Sequence, residues 1–198
     1  MKISPPTLEG NLVRLEPLAW EHMPALAHVA IANPEMWRWT NSIIHSEADM
    51  CRYMQTAFAL QDAGLCIPFA TISKRNGAAV GSTRFMEISA PNRALEIGGT
   101  WLDPACQRTG INVEAKYLML RHAFESMGCL RVCWKTHHKN LRSQAAIRAL
   151  GAVEEGTFRN HMVHHDGEPR HSMWFSVIAE EWPTVKLRLE ERMARHSG

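Results

Sequence analysis

The stretch Glu96-Ile-Gly-Gly-Thr-Trp-Leu-Asp-Pro-Ala-Cys-Gln-Arg-Thr-Gly-Ile-Asn112 decides how this chain is read. Its first part closes an alternating apolar run, Ala94 to Leu102, that predicts a strand. Gly98 and Gly99 inside that run predict a bulge or a close backbone approach. A short loop then leads into a helix from about Thr109 to Met127, stopped by Gly128. Gln107, Arg108, Thr109, Gly110, Ile111 and Asn112 therefore fall at a helix N-terminus. The first amides of a helix lack intrahelical acceptors and the dipole there is positive, so such an end suits a phosphate. Gly110 carries no Cβ and lets the backbone come close. The alternative is a plain tight turn into a helix.

Working outward, a strand from Leu130 to Thr136 follows the helix. A strand–helix–strand unit of this kind sets its two strands parallel. Upstream, Ile67 to Ser73 and Ala79 to Ile88 read as strands, with Asn76-Gly77 and Pro91-Asn92 as the turns of antiparallel hairpins. Asn11 to Leu15 alternates as a first strand. Trp20 to about Ala32 and a Ser46-capped segment stopped by Gly64 read as helices. Downstream, Asn140 caps a helix ending at Gly151, and strands from about Ala152 to Val163 and from Arg170 to Val177 flank Asp166-Gly167. A last helix starts near Pro183. The expected fold class is α/β (α+β), a mixed and mostly antiparallel sheet with one parallel pair and flanking helices, as one domain over residues 1–198.

Composition narrows the function classes. The 198 residues carry 22 Lys+Arg against 20 Asp+Glu, a formal charge of +2, with 45% hydrophobic and 21% charged residues. These values exclude a disordered chain, a collagen-like chain and a disulfide-dense miniprotein. The total charge gives no reason to expect nucleic acid. No apolar run approaches the ~20 residues that span a bilayer, and the opening MKISPPTLEG has no apolar leader core. Five cysteines without framework spacing point to free thiols in a reducing, cytoplasmic setting. Cys129 and Cys133 flank a strand-like run and read as buried thiols, so no metal is expected.

Gln107-Arg108-Thr109-Gly110-Ile111-Asn112 resembles the Gln/Arg-x-x-Gly-x-Gly/Ala loop of the GNAT superfamily of N-acetyltransferases. The element order looks like that family's fold over nearly the whole chain. Leu8-Glu9-Gly10 with Val13-Arg14-Leu15, the Trp101-Leu102 strand end and Asn140-Leu-Arg-Ser143 are similar to the branch that acetylates ribosomal-protein N-termini. Asn112 departs from the pattern where Gly or Ala is commonest, so its side chain must point away from the phosphates or donate to them. The resemblance implies acetyl-coenzyme A as cosubstrate, its pyrophosphate on the loop amides. It implies that the pantetheine arm lies between splayed parallel strands and pairs with backbone of Thr100, Trp101 and Leu102, where an amide would also hold the oxyanion. Asn140 is implied to hold the cofactor from the opposite side; read alone, it is a helix N-cap.

The resemblance further implies acetyl transfer to a primary amine, a protein N-terminus or a small molecule, by direct attack on the thioester. An alkyl amine of pKa ~10 needs a base or a desolvating site near pH ~7. Glu96 is the candidate base, although on an outward strand face it would only be solvated. Many relatives protonate the leaving thiolate with a Tyr on the helix after the Asn; here Tyr53 and Tyr117 are the only tyrosines and neither is in that helix. Ser143 is the candidate acid, or else a second capping contact. The missing Tyr keeps a second reading open, a non-catalytic coenzyme A-binding sensor or interaction module. The branch also implies a possible homodimer.

His137-His138 and His161-x-x-His164-His165 read as loop or rim histidines rather than ligands, for want of a completing carboxylate or Cys. Trp37, Trp39, Trp134 and Trp174 read as core or as the wall of an acceptor pocket. Between Pro104 and Leu150, eight basic residues (Arg108, Lys116, Arg121, Arg131, Lys135, Lys139, Arg142, Arg148) face only Glu114 and Glu125. That segment carries +6 and the remainder −4, so the near-neutral total hides a basic region suited to a small polyanion.

Overall fold

The computed structural model describes residues 5–195. Residues 1–4, part of the opening read above for a leader, lie outside the described residues. The strands are β1 (Leu8–Glu9), β2 (Val13–Pro17), β3 (Cys66–Ser73), β4 (Ala79–Ser89), β5 (Ala94–Leu102), β6 (Arg131–His137), β7 (Val153–Val163) and β8 (Pro169–Ile178). The helices are α1 (Met23–Ala32), α2 (Glu47–Asp62), α3 (Ile111–Arg121), α4 (Leu141–Arg148) and α5 (Trp182–Ala194). One eight-stranded sheet runs β1-β2-β3-β4-β5-β6-β8-β7. Every neighbouring pair is antiparallel except β5–β6, which α3 joins as a crossover. The mixed α/β class with a single parallel pair is thus the observed one.

Local chemistry explains most boundaries. Ser46 accepts the Asp49 amide at 3.2 Å and caps α2, and Gly64 (φ +72°) turns the chain out of it. Several boundaries differ from the sequence reading: the strand expected from Asn11 to Leu15 runs Val13–Pro17, and Trp20–His22 is a 3-10 turn ahead of α1. The helix expected from Thr109 begins at Ile111 and, from His122 to Ser126, widens into a π turn before Gly128 (φ +69°). Leu8–Glu9 forms an added two-residue strand, paired with Leu15 and Arg14. Its turn is held by the buried Glu114 of α3, whose carboxylate accepts the amides of Asn11, Leu12 and Val13 at 2.7–2.9 Å.

Two apolar cores sandwich the sheet. Leu15, Phe69, Phe85 and Ile97 meet Leu118, Val185 and Leu189 of α3 and α5 on one face. Ala70, Ile72 and Trp101 meet Leu26, Met50 and Met54 of α1 and α2 on the other. Among the described residues no helix is long and apolar enough to cross a membrane.

Candidate active site

The parallel pair supplies the site. Its register runs Ala94↔Arg131, Leu95↔Val132 and Glu96↔Cys133, and then pairing stops. Beyond Glu96, β5 continues to Leu102 on β4, and β6 continues to His137 on β8. The two strands therefore diverge into a slot whose walls hold unpaired backbone groups, the arrangement that accepts an added extended chain.

At the mouth of the slot β5 is bulged, with Gly99 and Thr100 opposite the single residue Thr83 of β4. Gly99 sits at φ +57°, which an L side chain rarely adopts. At Gly98 a Cβ would lie 2.5 Å from Met86 Sδ and 2.8 Å from Glu96 Oε1, so the missing side chain makes room for the Glu96 carboxylate. Glu96 is 2% exposed, not the solvated outward acid that its strand position also allowed. Lys135 Nζ of β6 donates to Glu96 Oε2 at 2.6 Å and lies 5.3 Å from the Trp174 ring centre. Burial pushes the Glu96 carboxyl above the usual carboxylate range, and Lys135 opposes that shift. Lys135 is a functional candidate that the sequence reading left out.

After β5, Asp103 Oδ1 accepts the Ala105 amide at 2.9 Å and starts the loop. Arg108 (φ +65°) and Gly110 (φ +90°) both adopt left-handed conformations before α3. The first helical bond is Glu114 N–H to the Gly110 carbonyl, so the amides of Ile111, Asn112 and Val113 precede any intrahelical partner. The Thr109 hydroxyl donates to the Cys106 carbonyl at 2.7 Å and braces the turn. Gln107 is turned inward: its Nε2 donates to the Leu102 carbonyl at 3.0 Å and its Oε1 accepts from Arg142 of α4. Gln107 thus ties the loop to the strand end and to the next helix. The Asn112 side chain makes no hydrogen bond among the described residues. A loop of open amides that carries the exposed Arg108 and is met by the exposed Arg142 fits a pyrophosphate-bearing cosubstrate.

Opposite the loop, Asn140 caps α4, its Oδ1 accepting the Ser143 amide at 3.0 Å. The Asn140 Nδ2 group and the Ser143 hydroxyl have no partner among the described residues. Trp101 and Leu102 turn their side chains into the two cores, and Trp101 Nε1 donates to the Tyr53 hydroxyl at 3.2 Å. Only their backbone can serve the slot.

Other candidates separate. Trp37 and Trp134 are core residues, whereas Trp39 and Trp174 are half-buried. Trp39 packs against His137 with ring centres 4.9 Å apart, and His137 stacks on His138 at 4.6 Å. Burial and neighbouring cationic groups push His137 down to about 4, so it is a neutral packed ring near pH 7. Burial pushes the Cys129 and Cys133 thiols up to about 11 and about 12. Glu16, Glu21 and His22 lie close together, yet His22 already accepts the Ala19 amide and meets Glu16 at 3.0 Å.

A buried amine is the largest surprise. Lys116 of α3 is 4% exposed, and its Nζ donates to Thr83 Oγ1 and Thr100 Oγ1, each at 2.7 Å. Burial pushes its ammonium down to about 7. A signal existed in the sequence. Ile111, Val113, Ala115, Tyr117, Leu118, Met119 and Leu120 make α3 apolar on every side, so Glu114 and Lys116 had to be buried with it.

A model of the acetyltransferase (GNAT) domain matches residues 13–153, and the chain belongs to that family. A GCN5-related N-acetyltransferase from Brucella melitensis superposes with a TM-score of 0.91 at 29% identity, covering 98% of this chain and 87% of that one. RimJ of Mycobacterium smegmatis, solved in complex with CoA-disulfide, superposes with a TM-score of 0.82 at 23% identity, covering 95% of each chain. YdaF of Bacillus subtilis, which carries a ribosomal N-acetyltransferase name, is 27% identical over 115 residues, 56% of this chain. That match spans 60% of the length of the curated relative.

Proposed function

We propose that this chain, acting as one domain, transfers the acetyl group of acetyl-coenzyme A to a primary amine by direct attack on the thioester. The observation that carries this reading is the parallel pair that opens immediately after the buried Glu96, beside a loop of unsatisfied amides. The loop amides of Arg108 through Val113 hold the pyrophosphate, with Arg108, Lys139 and Arg142 adding positive charge. Backbone of Thr100, Trp101 and Leu102 pairs with the pantetheine arm, and Asn140 donates from the facing helix through its unpartnered Nδ2.

Glu96 is the base. An amine must lose a proton before it attacks, and a carboxylate held above its usual range accepts that proton better than a solvated one. The Ser143 hydroxyl is the donor to the departing sulfur; the bond from its amide to Asn140 Oδ1 places it in the first turn of α4. The acceptor is a peptide or protein N-terminus; the ribosomal name of YdaF supports that choice over a free small amine.

The test is coenzyme A thiol release across a panel of N-terminal peptides, polyamines and small amines. Turnover of peptides above the no-amine rate is the expected result. Tight acetyl-coenzyme A binding with no amine turned over would instead favour the non-catalytic module.

A further inference from the structure

Lys116 has no part in the chemistry described so far, yet it lies directly beneath the slot. Its Nζ meets Thr83 Oγ1 of β4 and Thr100 Oγ1 of β5 at 2.7 Å, and Met119 Sδ of its own helix at 4.0 Å. No carboxylate pairs with it among the described residues. The groups facing it from each packed element are therefore two hydroxyls and a thioether. A desolvated amine without a counter-ion costs stability, so its retention calls for a function.

Thr83 is 1% exposed, and its hydroxyl shares a hydrogen bond with Thr100 Oγ1 at 2.8 Å and reaches Met119 Sδ at 3.6 Å. Lys116 donates to both hydroxyls, and the role assigned below belongs to the arrangement in which Thr83 donates to Thr100. In that arrangement Thr100 accepts two bonds and keeps its own proton, and it is exposed at the bulge where the slot opens. Two incoming donors, one of them cationic, polarise that remaining O–H outward.

We propose that Lys116 supplies the positive charge of the oxyanion site and delivers it, through the Thr100 hydroxyl, to the thioester oxygen as that oxygen becomes negative. Thr100 is then the group that touches the reacting atom, and Lys116 is a positioning residue behind it. No proton leaves Lys116 in this role; the interaction strengthens only as charge develops. The inference rests on the slot being the acetyl-coenzyme A site. Because burial brings the Lys116 ammonium to about 7, the charge fades as pH rises above neutral.

The test needs no acceptor. Binding of S-carboxymethyl-coenzyme A and of its neutral isostere S-carboxamidomethyl-coenzyme A is measured from pH 6 to pH 9. Wild type should prefer the anionic analogue about tenfold at pH 6, and the preference should shrink above pH 7. Thr100→Val keeps the shape but removes the hydroxyl, and Lys116→Met removes the charge; each should abolish the preference, read as the ratio of the two affinities in the same variant so that any loss common to both analogues cancels. Thr100→Ser should keep it. An undiminished preference in either Thr100→Val or Lys116→Met would overturn the proposal. So would a preference that does not change with pH. Failure of wild type to bind either analogue or coenzyme A would instead overturn the underlying assignment of the slot, and this inference with it.

Discussion

Replacing Lys116 by methionine should stabilise the fold near neutral pH, and by an amount that falls as pH rises. The side chain is 4% exposed and burial brings its ammonium from the ordinary 10.5 to about 7. Between those values the folded chain binds fewer protons than the unfolded chain, so wild-type stability rises with pH across that window. The slope for one proton is about 1.4 kcal/mol per pH unit, and the whole gap corresponds to on the order of 5 kcal/mol. At pH 7 nearly all of that penalty is still present in wild type. Methionine fills a similar volume with no charge to desolvate, and it forfeits two hydrogen bonds to Thr83 and Thr100 of about 1 kcal/mol each. The net expectation is a gain of about 2 kcal/mol at pH 7, shrinking through pH 8 and reversing by pH 9 to 10. Urea unfolding of both proteins at pH 7, 8 and 9, compared at each pH, isolates the Lys116 contribution because every other group is shared. A stability difference that stays flat over this range would mean that Lys116 titrates as an exposed lysine, and the burial argument would fail.

Other consequences are simpler to state. Glu96→Gln should lower kcat by about 10²-fold or more; in wild type the rate should fall with acid through a pH above the usual carboxylate range, because the base must be ionised and burial raises its pKa. Lys135→Met should move that acid limb to higher pH by removing the ammonium 2.6 Å from Glu96; an unmoved limb would show that Glu96 does not govern it. Gly110→Val, forced to φ +90°, should weaken coenzyme A binding in calorimetry, and unchanged affinity would refute the phosphate role of the loop. Gly10→Ala should cost about 1–3 kcal/mol in chemical denaturation, since its Cβ would sit 2.5 Å from the Glu114 carboxyl carbon. Asn140→Ala should cost about 1 kcal/mol as a lost N-cap and should raise the KM for acetyl-coenzyme A if its Nδ2 also serves the cofactor.

Elements whose ends depend on neighbours in sequence were legible without coordinates. Ser46 and Asn140 cap through residues three positions away, and Gly64, Gly128 and Gly151 stop their helices by taking positive φ themselves. The single parallel pair also followed from local order, because a strand–helix–strand unit permits little else. The open amides of Ile111 to Val113 followed from helix geometry alone. The orientation of Gln107 did not, since its partners Leu102 and Arg142 meet only when strand end and later helix converge.

What the amino-acid sequence determined by itself was therefore the order of the main helices and strands, the single parallel pair, and the loop of amides with its basic surroundings. What the tertiary structure decided was which polar groups lost their water. Glu96 became a buried acid because Gly98 leaves it space and Lys135 reaches it from the diverging strand. Glu114 became a clamp for the first hairpin, about a hundred residues away in sequence. Lys116 became an amine held by two hydroxyls beneath the slot. Capping and turn signals act over three or four residues and are written in the local chain, but desolvation depends on what packs above a side chain, and that exists only once the sheet and α3 have met.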